Sequence, residues 1–424
     1  MRVLLLTQFY PPVIGGEERH VRNLAAALVR RGHDVCVATQ WSPGLQEREV
    51  DNGAQIYRLH GTMQRATWLF KESERPHAPP FPDPELVLGI RRIMLSEKPD
   101  IVHAHNWMVH SYTPLKRIFN VPLVVTMHDY SLTCPKKTLL YDGKLCDGPA
   151  ATKCLSCATE LYGIMKGTVA TLGCVAMGAL ERRTVDMFLP VSRSVAELNG
   201  LKNLAVNFEV IPNFIPDDVE SLSSDLNPCL NDLPAEYMLF VGDFRDYKGL
   251  RVLLDAYSRM VTAVPLVLIG RPTQEIPTVE CPGVHVFHNW PHDAVMHAWS
   301  RCLFGVAPSI GPEPCATVVM EAMAFGKPMI VTNIGGMPDL VADGRTGLIV
   351  RPNDPIALAK AMNIFLANSD MRCRMGENCR DWVEKLRART VVDRIVRVYE
   401  ALKRNQSAFA GSKTASSALP RQSA

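Results

Sequence analysis

Short apolar runs alternate with helical patterns along nearly the whole chain, and that alternation leaves few folds open. An apolar run of four or five residues is too short for a helix; followed by a helical pattern, it marks a βαβ unit. In the first half the runs are Val3–Thr7, Val35–Thr39, Ile56–Leu59, Ile101–Ala104, Leu123–Met127 and Phe188–Val191. Glu18–Arg31, between the first two, sets Val21, Leu24, Ala25 and Leu28 at helical spacing. In the second half the runs are Met238–Val241, Leu266–Ile269, Val284–Phe287, Phe304–Ala307, Met329–Val331 and Leu348–Val350. The two series predict two separately wound parallel sheets, an α/β chain of two doubly wound domains. A length of 424 residues agrees, being too long for one core and suited to two domains of about 200 residues each.

Charge narrows the partners. With 46 basic and 43 acidic residues there is no broad basic surface, so a nucleic-acid partner is not expected. Met1–Gln8 reads as a buried strand rather than a signal peptide, because its apolar part is short and no small-residue cleavage pattern follows. The longest apolar segment, Thr168–Leu180, has Lys166 before it and Glu181-Arg182-Arg183 after it, and reads as a buried helix rather than a membrane-surface anchor. The expected compartment is the cytoplasm, where thiols stay reduced. Thr62–Pro84 lacks periodicity and is expected to be a long surface loop. Val391–Leu402 reads as a last amphipathic helix, and 405–424 as a disordered tail.

Three loops carry chemistry. Gly15-Gly16 follows the first strand and opens a helix, where paired glycines let backbone approach a ligand and the helix end favours anions. Lys248, in FVGDFRDYKGL, sits at an expected helix start, a place unfavourable to a cation unless an anionic ligand is near. The most informative stretch is PSIGPEPCATVVMEAMAFGKP: Glu313 lies before and Glu321 just inside a helix expected to start near Thr317. The unpaired amides and dipole of that helix end suit a diphosphate, with one carboxylate to either side for hydroxyls. His128-Asp129 closes a strand at the carboxyl edge where parallel sheets bind ligands; His103 and His105, on the neighbouring strand, are expected to be structural.

Together these motifs resemble the GT-B glycosyltransferases, in particular family 4 of the retaining, nucleotide-sugar-dependent enzymes, over about Met1–Leu402. The resemblance rests on PPVIGGEERHVRNLAAALVRRGHDV, PDIVHAHNW, VVTMHD, VIPN, FVGDFRDYKGL and, most specifically, EPCATVVMEAMAFGKP with GRTGLIVRPND. It implies two Rossmann-like domains facing a cleft. The acceptor domain would span 1–205, the linker 206–236, the donor domain 237–388 and a helix crossing back to the first domain 389–404. It also implies roles: Glu313 on the donor sugar, Glu321 on the ribose, and amides of Ala316, Thr317 and Val318 on the diphosphate with Lys248 as counter-charge. Gly15 and Gly16 would line the cleft, and His128 would lie near the reacting carbon. Such enzymes need no catalytic cofactor, and a donor phosphate oxygen rather than a protein base takes the acceptor proton.

The expected partners are a UDP- or GDP-type sugar, a saccharide or lipid-linked acceptor, and a membrane touched peripherally. One departure stands out: where the family commonly has arginine after the glycine of the second domain's opening strand, this chain has Asp243, leaving Arg245 to supply the charge. Two other readings share the fold, a nucleotide-sugar epimerase and a partner protein that has lost donor binding. Finally, Cys134, Cys146, Cys154 and Cys157, in an insertion at 130–160, read as a structural zinc site, against disulfides, an iron–sulfur cluster or free thiols.

Overall fold

The computed structural model describes residues 1–13, 15–69, 78–222 and 228–416. Ile14, residues 70–77 of the expected Thr62–Pro84 loop, residues 223–227 of the linker and residues 417–424 of the expected tail lie outside the described residues.

The first sheet contains β1 (Arg2–Leu6), β2 (Asp34–Gln40), β3 (Arg48–Asp51), β4 (Ala54–Leu59), β5 (Ile101–His105) and β6 (Leu123–Met127). A two-stranded hairpin, β7 (Leu140–Tyr141) and β8 (Lys144–Leu145), interrupts before β9 (Met187–Pro190) completes the sheet. Its order is β3-β4-β2-β1-β5-β6-β9, parallel throughout except where β3 runs antiparallel on β4. Central strands are buried on both faces, which is why they read as unbroken apolar runs instead of alternating ones. Edge strand β3 and the hairpin went unread: REVD is polar, and LY and KL are too short to carry a period.

Around this sheet lie α1 (Gly16–Arg30), α2 (Pro84–Glu97), α3 (Met108–Phe119), α4 (Ala151–Tyr162), α5 (Ile164–Thr184) and α6 (Arg193–Leu198). The second sheet is β10 (Met238–Val241), β11 (Leu266–Gly270), β12 (Val284–His288), β13 (Phe304–Ala307), β14 (Met329–Thr332) and β15 (Gly347–Val350), all parallel in the order β12-β11-β10-β13-β14-β15. Its helices are α7 (Leu250–Ser258), α8 (His292–Arg301), α9 (Thr317–Ala324), α10 (Met337–Leu340), α11 (Pro355–Ala367) and α12 (Ser369–Val383).

The last helix, α13 (Ala388–Ser416), returns to the first sheet. Val391, Val392, Ile395 and Tyr399 are buried with Val3, Leu5, Val21 and Leu24, against β1 and α1. Each such side chain adds on the order of 2 kcal/mol. The helix continues past Leu402, so the chain from 405 to Ser416 is helical where the composition predicts disorder. A helix already nucleated by packing upstream extends at little cost. Thr62–Leu69 likewise forms a 3-10 helix, tied to the start of α2 by bonds from Thr62 to the Asp83 carboxylate.

Helix α5 corrects a third expectation. Its buried residues are mostly small, Gly167, Ala170, Thr171, Cys174 and Gly178 among them, while Ile164, Met165, Val169, Leu172 and Val175 are exposed. A segment apolar all round carries no periodicity to tell its inner face from its outer one.

Candidate functional site

The two sheets meet at a cavity of about 610 Å³, entered from one side by the loop after β1 and from the other by the start of α9. Gly15 and Gly16 line it from the first sheet; Thr317, Val318 and Glu321 line it from the second. Ala316, the residue before α9, offers no side-chain cap, so the first amides of that helix keep their polarity toward the cavity. Helix α9 starts at Thr317, where the sequence puts it.

Glu321 is almost fully buried. Its Oε1 accepts from Arg19 Nη1 at 3.3 Å and lies 3.1 Å from His292 Nε2. Arg19 comes from α1, 302 residues away in sequence, and reaches Glu321 across the cavity. Burial would push the Glu321 carboxyl up, but His292 and Arg19 hold it below its ordinary value. Arg19 and His292 were not anticipated. Arg19 could have been found, because it stands three residues past Gly16 and so on the same helix face; His292 carries no comparable mark.

Glu313 and Lys248 meet beyond this cavity, with Lys248 Nζ 2.5 Å from Glu313 Oε1. Burial would lower the lysine, but the Glu313 charge and hydrogen bond leave it raised above its usual value, hence charged. Lys248 does not open an α-helix as expected. It closes a 3-10 turn, Asp246–Lys248, and α7 begins at Leu250 after Gly249. Gly249 has φ +75°, and a Cβ there would collide with the carbonyl oxygen of Pro308 at the end of β13. That close approach brings the Lys248 turn against the strand leading to Glu313. The Glu313 loop is held from behind by Gly335 (φ +60°), where a Cβ would strike Glu313 backbone, and by the Gly336 amide donating to the Glu313 carbonyl at 2.6 Å.

Asp243 does not face an anion site unpaired. Its two carboxylate oxygens accept from Arg271 Nε and Nη2, both at 2.8 Å. Burial would raise this carboxyl, but Arg271 holds it below the ordinary range. Arg271 follows Gly270 at the end of the neighbouring strand β11, so adjacent strands contribute the acid and its counter-ion at one sheet edge. Arg245 turns outward instead, 3.8 Å from Glu275.

His128 belongs to a stack of histidines. Its Nε2 lies 2.9 Å from His105 Nδ1, and His20, from α1, packs edge-on at 4.8 Å between ring centroids. His103 behaves as a structural residue, with Nδ1 2.5 Å from the Tyr399 hydroxyl and Nε2 2.7 Å from Thr126 Oγ1. His105 is instead joined to His128, the ring expected at the reacting carbon. Burial pushes His128 down to about 4 and His103 to about 3, and it holds His20 and His105 well below their usual value. The stack is therefore uncharged at neutral pH.

Among the described residues, only His20, His105 and His128 bring three potential metal-ligating side chains within 4.8 Å of one another. The four cysteines of the insertion do not gather in that way. Cys157 Sγ points to the Leu140 carbonyl at 3.9 Å and Cys146 Sγ to the Gly148 carbonyl at 3.4 Å. Burial raises the Cys134 thiol above its usual value. In this arrangement Cys146 and Cys157 are turned to backbone carbonyls rather than to a shared centre.

Comparison with known proteins agrees with this geometry. Residues 14–219 match the model of Glycosyltransferase Family 4, and residues 230–382 that of Glycosyl transferases group 1. A glycogen synthase of Mycobacterium tuberculosis is 28% identical, covering 96% of both chains. The sucrose-phosphate synthase of Thermosynechococcus elongatus superposes with a TM-score of 0.72 at 20% identity, over 95% of this chain and 98% of that one. Anabaena HepE in complex with UDP-glucose superposes with a TM-score of 0.65 at 16% identity, over 95% of this chain and all of the other. Two wound sheets facing a cleft, the uncapped helix between two carboxylates and these matches make the chain a GT-B glycosyltransferase of the family 4 type.

Proposed function

We propose that the protein is a retaining glycosyltransferase that moves a sugar from a UDP- or GDP-linked donor to a hydroxyl of a saccharide or glycolipid, in cell-surface polysaccharide or glycoconjugate synthesis. The observation that carries this reading is the uncapped start of α9 at the cavity, with buried Glu321 inside it and Glu313 before it. Ribose hydroxyls would donate to Glu321, and sugar hydroxyls to Glu313. The diphosphate would lie on the Thr317 and Val318 amides, with Lys248 opposing its charge.

Transfer would break the bond from the anomeric carbon to the diphosphate and form one to the acceptor oxygen on the same face. The acceptor proton would pass to a donor phosphate oxygen, so no protein base is required. The leaving diphosphate gains charge as the bond breaks, and Lys248 with the helix amides would stabilise it without a metal. A neutral His128 suits its expected place, because a cation there would oppose positive charge building on the anomeric carbon.

The test is thermal stability of the purified protein against UDP, GDP, ADP, CMP and their sugars, with EDTA present. A bound ligand at 100 times its dissociation constant adds roughly 2.7 kcal/mol to stability. One diphosphate should raise the melting temperature, and Lys248→Ala and Glu321→Ala should abolish the shift. Silence across the whole panel would retire the transferase reading. The anomeric configuration of the product, read by NMR, then tests retention.

A further inference from the structure

Helices α4 and α5 form a hairpin turned at Gly163 (φ +83°), and its outer surface is unusual for a soluble protein. Small residues face inward: a Cβ on Gly167 would strike the Thr159 backbone, and one on Gly178 would strike the Leu132 carbonyl. Large aliphatic residues face outward. Ile164 is 82% exposed at the tip, and Leu172 and Val175 are 65% and 67% exposed along the ridge, with Met165 and Val169 between them. Leu161 and Tyr162, at the end of α4, widen the apolar tip. A helix stabilised only by packing on its own domain would bury the large side chains and expose the small ones.

The flanking charges say what covers this face. Lys166 lies near one end of α5, and Arg182 and Arg183 lie at the other, about 24 Å away along the axis. The acid within the helix, Glu181, is buried and 2.7 Å from His110 Nε2, so it does not offset them at the surface. A second copy laid along the ridge, parallel or antiparallel, would bring cations against cations at both ends. An anionic lipid surface satisfies both features, because aliphatic side chains enter the acyl boundary while the basic ends meet headgroups. Length and hydropathy would let α5 cross a bilayer, but its inward face is packed on the protein, so it lies on the surface instead.

We infer that the α4–α5 hairpin is a membrane-docking surface that seats the protein on an anionic leaflet with the Ile164–Val175 ridge inserted. Its inner face rests on the loop after His128: Cys174 Sγ approaches the Ser131 carbonyl at 3.5 Å. Docking therefore holds the mouth of the first-domain cleft at the bilayer. That the acceptor is lipid-borne follows only if the transferase reading holds.

The experiment is flotation of the full chain with phosphatidylcholine vesicles, with and without phosphatidylglycerol, at low and high salt. The protein should float with phosphatidylglycerol vesicles at low salt, and much less with phosphatidylcholine alone. Ile164→Glu with Leu172→Glu should cut partitioning about tenfold or more, since a charge replaces inserted apolar area. Lys166→Glu with Arg183→Glu should cut it at least fivefold for each charge lost. All four side chains lie at least partly at the surface, and unchanged melting temperatures would verify intact folds. No flotation at low salt, or equal flotation of the ridge variant, overturns the proposal. So does a dimer that the ridge variant splits while vesicle binding persists. The response of the same samples to nucleoside diphosphates separates the two readings: if it survives while flotation fails, docking falls and the transferase stands.

Discussion

Replacing Arg271 with alanine tests how this chain tolerates an acid where its family commonly has arginine. In the native protein Asp243 is held bidentately at 2.8 Å on both oxygens. The pair is partly solvated, with side chains 43% and 29% exposed, so its direct contribution to stability is small, about 1 kcal/mol after screening. The larger effect falls on the donor site. Without Arg271, the Asp243 carboxylate loses its hydrogen-bonded counter-ion and bears on the Lys248 region, where a diphosphate would have to bind. An uncompensated unit charge in a partly solvated site costs about 1–2 kcal/mol, or five- to thirtyfold in affinity. The assay is calorimetric titration of the nucleoside diphosphate that stabilises the native protein, applied to Arg271→Ala and to Arg271→Ala with Asp243→Asn. The single variant should bind five- to thirtyfold more weakly, and the double variant should recover most of the loss. A single variant that binds like the native protein refutes the reasoning. A double variant no better than the single shows that Arg271 does not act by neutralising Asp243.

Glu321→Ala should weaken the same diphosphate at least tenfold, since each hydrogen bond to a buried charged group is worth about 1.5–3 kcal/mol; an unchanged titration would remove Glu321 from the site. Gly249→Ala should destabilise the fold by about 2–4 kcal/mol, through its positive φ and the clash with Pro308, and chemical denaturation would read it. The histidine stack predicts acid sensitivity. His103 and His128 fall from an ordinary 6.5 to about 3 and about 4 on folding, so their contribution is complete above pH 6.5 and declines as pH falls toward 4 and 3. Unfolding free energy measured by denaturant titration from pH 7.5 downward should fall by on the order of a few kcal/mol; a flat profile from 7 to 4.5 would contradict the buried neutral stack.

Much of this was legible in the chain because parallel sheets buried on both faces leave a plain trace. Each apolar run became a strand within a residue or two, and Thr317 opened α9 as its position between a Gly-Pro loop and an apolar run indicates. Glu313 and Glu321 could be picked out because one lies before and one just inside a helix end whose free amides suit a diphosphate. Polar β3 and the two-residue strands at 140–145 lacked any periodicity to read. Four clustered cysteines with a Cys154–Cys157 pair suggested a metal against their irregular spacing, and the fold turns Cys146 and Cys157 to separate carbonyls.

Local order, the two wound sheets and the polarity of the loops are properties of neighbouring residues, so they follow from hydrophobic period and turn chemistry along the chain. Pairings between segments far apart in the chain are not local. Arg19 meets Glu321, Asp243 meets Arg271, His128 meets His20 and α13 meets α1 only because two sheets and a returning helix bring distant segments together. The same holds for α5. Its composition made it apolar, but which residues it exposes was set by what lay close enough to demand glycine on its inner face.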